Sequence, residues 1–254
     1  MFTAVILLSG GCGKEDNSYN NTSYTLMKKD VLGVSGTVTF TETTNNSTII
    51  DVVLTNASTG SNHAFLYMQS VVEKGEVAET LNPIDATGKS STVVKMPYSQ
   101  LITYDGCVRV LKSSSETNLI IAQGDIGGNV ITSINKSYTL STIIPYGVSG
   151  TALFEKRANG NTLLTITLSG VIAGVEYPAN INLGSIESVD DGTVRKTLSN
   201  VNGTTGKSFT NIRTLDSGKV ITYDDWLIYL GYINIYQKSV SSDNIISHGN
   251  IGKN

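Results

Sequence analysis

The stretch Gly33-Val34-Ser35-Gly36-Thr37 leads into Val38-Thr39-Phe40, and it recurs as Gly147-Val148-Ser149-Gly150-Thr151 followed by Ala152-Leu153-Phe154. The two copies stand 114 residues apart. Each runs into alternating residues rich in β-branched and aromatic side chains, a pattern that predicts a half-buried strand. The chain therefore contains the same strand twice, and the surrounding sequence must be searched for the rest of a repeated unit.

Four further matches keep the same order along the chain. They pair residues 23–26 with 137–140, 87–90 with 205–208, 102–105 with 221–224, and 124–127 with 249–252. The offset between copies grows toward the C-terminal end, as expected when loops accept insertions at little entropic cost. A unit of this length is much longer than the ~20 to 50 residues of a solenoid repeat, so the pattern indicates a duplicated domain.

The segments between turn signals read as strands in both copies. Residues 49–54 and 163–168 are apolar and β-branched, and turn-forming pairs such as Asn159-Gly160 and Asn202-Gly203 separate such segments. We expect an all-β protein of two tandem antiparallel β-sandwich domains with Greek-key connections, each with a short helix. The clearest helix signal lies at residues 223–230, where Thr222 can cap the first turn.

The predicted domain limits follow from the repeat and from the N-terminal sequence. They are a signal peptide at 1–11, a lipidated cysteine and tether at 12–21, domain 1 at 22–128, a linker at 129–135 and domain 2 at 136–254.

The N-terminal sequence resembles a bacterial lipobox. An apolar run at 4–8 and small residues at 9–11 precede Cys12, which would become the lipid anchor after cleavage. The following Lys14-Glu15-Asp16 resembles the export tag of surface lipoproteins of the Bacteroidota. These resemblances imply a protein anchored in the outer membrane and facing the cell exterior. The alternative is that residues 1–12 form a buried strand.

Composition excludes several classes of function. The net charge is -3 and charged residues make up 15% of the chain, so there is no basic field to attract nucleic acid. Once Cys12 is assigned to lipid, Cys107 is the single remaining cysteine and no internal disulfide is available. With no histidine nearby in sequence, Cys107 is expected to be a packed thiol.

The order of motifs resembles the chordin-type CHRD domain, twice over nearly the whole mature chain. The residues that carry the resemblance are the 147–151 stretch, Pro178-Ala179-Asn180-Ile181-Asn182, the 231–236 strand and the closing 249–252 segment. Members of that family carry a histidine cluster suited to a metal, and this chain lacks it. The corresponding residues of the second copy are Tyr177, Asn180, Asn182 and Tyr236. Those of the first copy are Asn62, Phe65, Tyr67 and Leu111.

These replacements are poor ligands for zinc or copper, so we expect no metal and no cofactor. The Tyr/Asn residues of the second copy are instead a candidate binding patch for a ligand at the cell surface. The two histidines, His63 and His248, are expected to lie on the surface or to be hydrogen-bonded. Trp226 and Tyr229 are expected to pack a helix onto the sheet rather than to form a sugar platform.

Other catalytic signatures are incomplete. Thr-Gly-Lys-Ser occurs twice, but a phosphate loop needs an earlier glycine where this chain has Pro83 and Val201. Loop aspartates lack the spacing of a calcium loop, and there is no nucleophile elbow. The sequence thus favours a non-enzymatic surface lipoprotein that binds or supports another protein or a glycan. The alternative is a metal-binding protein or metal-dependent enzyme with an altered CHRD site.

Overall fold

The fold is taken from a computed structural model that describes residues 19–56, 61–73, 75–113, 115–116, 118–187, 192–237 and 244–254. The predicted signal peptide, the lipid anchor at Cys12 and most of the tether lie outside these ranges and remain predictions. No helix among the described residues is both long enough and apolar enough to cross a membrane.

The described residues form strands joined by short turns, with two short helices. In the first half these are β1 (Asn21–Lys28), β2 (Ser35–Glu42), β3 (Thr48–Thr55), β4 (His63–Met68), β5 (Val77–Thr80), β6 (Lys89–Val94), α1 (Tyr98–Leu101), β7 (Asp105–Leu111) and β8 (Ile120–Gly127). In the second half they are β9 (Ile131–Thr142), β10 (Ser149–Arg157), β11 (Thr162–Ser169), β12 (Glu176–Tyr177), β13 (Ala179–Leu183), β14 (Val194–Thr197), β15 (Val201–Asn202), β16 (Lys207–Ile212), α2 (Tyr223–Leu227), β17 (Leu230–Tyr236) and β18 (Ile245–Gly252).

Both halves have one topology. The first half is ordered β5-β4-β7-β8-β1-β2-β3-β6, and the second half repeats this order with β14-β13-β17-β18-β9-β10-β11-β16. Strand β1 pairs with β2 along residues 21–26 and with β8 only through Met27 and Lys28, so the sheet folds over itself. Strand β9 does the same between β10 and β18. All strand pairings among the described residues are antiparallel, which confirms the predicted pair of β-sandwiches.

Glycine explains why the repeated GVSGT stretch begins a strand. A side chain at Gly36 would come within 2.1 Å of the Val53 carbonyl oxygen, and one at Gly150 within 1.9 Å of the Thr167 carbonyl oxygen. Only a residue without Cβ lets β2 approach β3, or β10 approach β11, this closely. The two domains then bury separate apolar clusters, one within residues 26–126 and the other within 140–251.

The helix α2 confirms the predicted cap and the predicted packing. The Thr222 hydroxyl accepts from the Asp225 amide, and the Asp225 carboxylate accepts from the Thr222 amide, which forms a capping box. Trp226 is fully buried, with its ring 5.9 Å from that of Phe154 and 4.9 Å from that of Tyr229. The aromatic residues of this helix therefore belong to the core.

One of the sequence matches between the copies is wrong. The pairing of residues 102–105 with 221–224 would place helix α2 opposite residues 104–108, at the start of strand β7. In the structure α1, β7 and β8 correspond to α2, β17 and β18 at a constant offset of 125 residues, so Tyr98 matches Tyr223 and Asp105 matches Leu230. The four-residue identity is accidental because strand pairing fixes the alignment.

The segment expected to be a linker is mostly part of a strand. Residues 131–135 lie in β9, where Ile131 pairs with Arg157 of β10. Residues 128–130 make the connection between the last strand of the first half and this strand. At the tether, Asn21 already belongs to β1, and the Asn20 side chain donates to Glu42 at 2.6 Å.

Candidate functional site

Three of the four residues of the candidate binding patch meet on the outer face of the second domain. Asn182 Nδ2 donates to Asn180 Oδ1 at 2.8 Å, and Asn180 Nδ2 lies 3.2 Å from the Tyr236 hydroxyl. Asn234, which the sequence did not single out, donates to the same hydroxyl at 3.2 Å. Side chains alternate between the two faces of β13 and β17, and this alternation brings all four to one face. The sequence predicts this for Asn180, Asn182 and Tyr236.

This Tyr/Asn network is largely covered. Asn182 and Asn234 are 1% and 4% exposed, whereas Asn180 and Tyr236 are half-buried. The Asn234 Oδ1 atom is buried with no hydrogen-bond partner among the described residues. A ligand approaching this face would therefore meet Asn180 and Tyr236 first.

Tyr177 lies apart from the other three. It is 3% exposed within the core cluster, and its hydroxyl accepts from the Ile172 amide at 2.8 Å. The structure therefore gives Tyr177 a packing role and does not place it on the outer face of β13.

Residues that pair side by side on neighbouring strands extend the Tyr/Asn network from Asn180 across the sheet to a histidine. Asn234 pairs with Asn180 on one side and with His248 on the other, so all three share a face. One row along, Asn250 donates to Glu187 Oε2 at 2.9 Å and accepts from the Ile186 amide. The hydrogen bond from Asn250 is the main reason that the pKa of Glu187 is lowered. Among the described residues, no group of three or more histidines, cysteines or carboxylates could hold a metal ion.

The same face of the first domain is filled by an arginine. Arg109 occupies the position of Asn234 and lies 4.8 Å from the centre of the Tyr67 ring. Its guanidinium donates to the carbonyl of Glu73 at 2.8 Å and to that of Val71 at 3.3 Å. Arg109 thus fixes the loop that follows β4, and this loop contacts the second domain.

A buried ion pair joins the two domains. Arg157, at the end of β10, is fully buried, and its Nη1 atom lies 2.7 Å from Asp125 Oδ2 in β8. The same nitrogen donates to the Asn129 carbonyl. Asp125 also accepts from the Val71 amide at 2.7 Å. A charge pair of this kind is costly to break, because removing one partner leaves the other charged and buried.

A second set of contacts lies at the edge of the same junction. The Arg213 guanidinium, just beyond β16, lies 2.8 Å from Glu73 Oε1 and 2.5 Å from Asp105 Oδ2. Asn211 donates to Glu73 Oε2 at 2.9 Å, and so does the Ser70 hydroxyl at 2.6 Å. The first domain thus presents carboxylates to arginines of the second, so the orientation of the two domains is fixed by specific pairs.

The junction borders an open groove. A cavity of about 640 Å³ lies between the domains, and a second of about 520 Å³ continues from it along the first domain. The residues that line both cavities are Val71, Gln123, Asp125 and Ile131. Residues of both domains therefore form one groove, which is a frequent location for binding sites.

Sequence reasoning missed the junction, although one signal was visible. The closing motif of the repeat reads Gly124-Asp125-Ile126-Gly127 in one copy and Gly249-Asn250-Ile251-Gly252 in the other. The aspartate that differs is the one that pairs with Arg157, and the position of Arg157 in the first copy is held by Thr43. This one difference between otherwise matched motifs therefore marks a residue that pairs across the junction.

Comparison with family models, with curated proteins and with solved structures gives no match.

Proposed function

We propose that the chain is a non-enzymatic lipoprotein of the outer membrane surface whose two CHRD-like domains act as one binding or structural module for another protein or a glycan. The observation that supports this most is the junction. Buried and half-buried ion pairs hold two β-sandwiches in one orientation, and a groove runs along their contact. A rigid double domain with a shared groove suits recognition, because little conformational entropy is lost on binding.

The lipid anchor is supported by the lipobox-like sequence that ends at Cys12. Its test is a pull-down from intact outer membranes with the lipidated chain, followed by mass spectrometry of the proteins and glycans that co-purify. The control is Cys12→Ala, which removes the acceptor of the lipid. A stoichiometric partner that is lost with the anchor supports the proposal. Equal surface retention of the control and the absence of any stable partner would refute it.

The outer face around Asn180 and Tyr236 is the second contact surface of this proposal. Tyr236→Phe keeps the ring and removes the hydroxyl that receives hydrogen bonds from Asn180 and Asn234. We expect a captured partner to bind this variant more weakly, while Tyr19→Phe, which lies just before β1 of the first domain and is 45% exposed, binds as the unaltered chain does. Equal binding by both variants would exclude this face from recognition.

A further inference from the structure

The groove at the junction collects positive charge in a chain whose net charge is -3. Lys28 and Lys29, at the end of β1, and Lys207, at the start of β16, line it from opposite domains. None of these ammonium groups has an ion-pair partner in the part of the chain that the structure describes. The carboxylate within the groove, Asp125, is already paired with Arg157. An anion entering the groove would therefore meet uncompensated positive charge.

Apolar side chains also line the groove, and one of them is an aromatic ring that is exposed to solvent. Phe209 is 44% exposed, and it lies beside Leu163, Val71 and Val72 in the same cavity. An exposed ring held on a strand offers a flat apolar surface, which suits the carbon-bound face of a sugar ring. Neutral hydrogen-bonding residues also line the groove; they include Gln123, Ser199, Asn200 and, in the adjoining cavity, Ser23 and Thr25.

The corresponding face of the first domain lacks this combination. By strand pairing, Lys207 corresponds to Lys89 and Phe209 to Ser91. The aromatic residue thus occurs in the copy whose strand borders the junction. The first domain keeps a lysine at the equivalent position and therefore supplies a control within the same molecule.

From these features we propose that the junction groove binds an acidic glycan, a saccharide chain that carries carboxylate or sulfate groups. This inference rests on the proposed function and specifies its ligand. The anionic groups pair with Lys29 and Lys207, and a sugar ring packs on Phe209. A chain of sugars, rather than a single small anion, fits because the two cavities continue into one another past Gln123 and Ile131.

The test uses the full chain with Cys12→Ala, so that no lipid is attached, and measures binding by isothermal titration calorimetry. The probes are a uronic-acid oligosaccharide, a sulfated oligosaccharide and a neutral oligosaccharide of the same length. We expect at least one acidic probe to bind and the neutral one to bind much more weakly or not at all. The affinity should fall as salt is added, because exposed charges are screened.

Four variants locate the site. Lys207→Glu should weaken binding of the acidic probes about fivefold. The double variant Lys29→Glu and Lys207→Glu should weaken it more than about tenfold, since each reversal of charge replaces attraction with repulsion. Phe209→Ser, which copies the first domain, should also weaken binding. Lys89→Glu, the matched control, should leave it unchanged. All four positions are exposed, so we expect the variants to fold, and a cooperative thermal unfolding transition checks this for each of them.

Three results would overturn the inference. The first is that neutral and acidic probes bind with equal affinity. The second is that Lys89→Glu weakens binding of the acidic probes as much as Lys207→Glu does. The third is that neither acidic probe binds. If the acidic probes do not bind while the outer-membrane pull-down still returns a partner, the glycan inference fails and the proposed function stands. Selective binding of the uronic-acid or of the sulfated probe identifies which anionic group is recognised.

Discussion

The thiol of Cys107 shows how burial controls reactivity at a single residue. Cys107 lies in β7 with no exposed surface, and burial raises its pKa to about 12. Because the thiolate is the reactive form, we expect no alkylation of Cys107 in the native Cys12→Ala protein at mildly alkaline pH. Labelling should appear only when denaturant unfolds the first domain, and mass spectrometry would follow it. Rapid labelling without denaturant would show that β7 opens in the native state.

The Asp125–Arg157 pair predicts a large effect of one substitution. Asp125→Asn introduces the residue found at the equivalent position of the second domain and leaves the buried guanidinium unpaired. We expect the free energy of unfolding to fall by about 3 to 5 kcal/mol, measured by urea denaturation. Adding Arg157→Gln should cost less than the sum of the two single changes, because the pair is coupled. Strict additivity would contradict the ion pair.

A matched control for this substitution is available on the surface. Lys112 and Glu116 form an exposed pair at 3.1 Å, with side chains 42% and 43% exposed. Glu116→Gln should change the free energy of unfolding by less than about 1 kcal/mol, because water screens such pairs. A comparable loss at both sites would mean that the junction is wetter than the structure indicates.

At the scale of the element, helix α2 depends on its first turn. Thr222→Ala removes the hydroxyl that accepts from the Asp225 amide, and it also removes a donor to the Asp225 carboxylate. We expect a loss of about 1 kcal/mol in the free energy of unfolding. Ser99→Ala in α1 is the control, since that helix begins at Pro97 without a side-chain cap. Equal losses would show that the cap does not stabilise α2.

Strand pairing also decides which parts of the two copies correspond. Identical four-residue motifs at 102–105 and 221–224 suggested one alignment, but a backbone alignment through β7 and β17 gives another. Short motifs can recur by chance, whereas a shift of register would move every side chain of a strand to the opposite face. The alignment that agrees with strand pairing matches Gly106 with Gly231. Each glycine lies against the tyrosine two residues before it, Tyr104 in the first domain and Tyr229 in the second.

For the whole molecule, docking of the two domains should depend on pH through Glu73. Burial by itself would raise the pKa of Glu73, but hydrogen bonds from Ser70 and Asn211 and the charge of Arg213 outweigh it and lower the pKa below its ordinary value. The folded state therefore binds this proton less readily than the unfolded state. The stabilisation of the folded state by the Glu73 carboxylate is complete above the ordinary glutamate pKa. It is lost as the pH falls through the lowered pKa of Glu73.

This dependence can be measured by urea unfolding at a series of pH values from neutral to about pH 3, a range that spans the ordinary glutamate pKa. Glu73→Gln should lower the stability at neutral pH and flatten the decline at low pH. If the variant declined as steeply as the unaltered chain, other carboxylates would account for the acid sensitivity and Glu73 would not control docking.

The β-sandwich fold and the start of a short helix at Tyr223 were predictable because they depend on local patterns, although the helix ends at Leu227 and the predicted one ran to Leu230. Alternating apolar residues, turn-forming pairs and the Thr222 cap act over a few residues, and a duplication shows each pattern twice. Part of the candidate site was predictable for the same reason, since alternation puts Asn180 and Asn182 on one face. The burial of Tyr177 and the inclusion of Asn234 were not, because they depend on which strands lie beside β13.

The sequence by itself determined that the chain contains two copies of one strand-rich unit and that its domains are all β. Tertiary structure alone decided how these units meet. Asp125 and Arg157 are 32 residues apart, and Glu73 and Arg213 are 140 residues apart, yet each pair is in direct contact. No local propensity encodes such contacts, because the attraction between the two charges arises only when folding places them side by side.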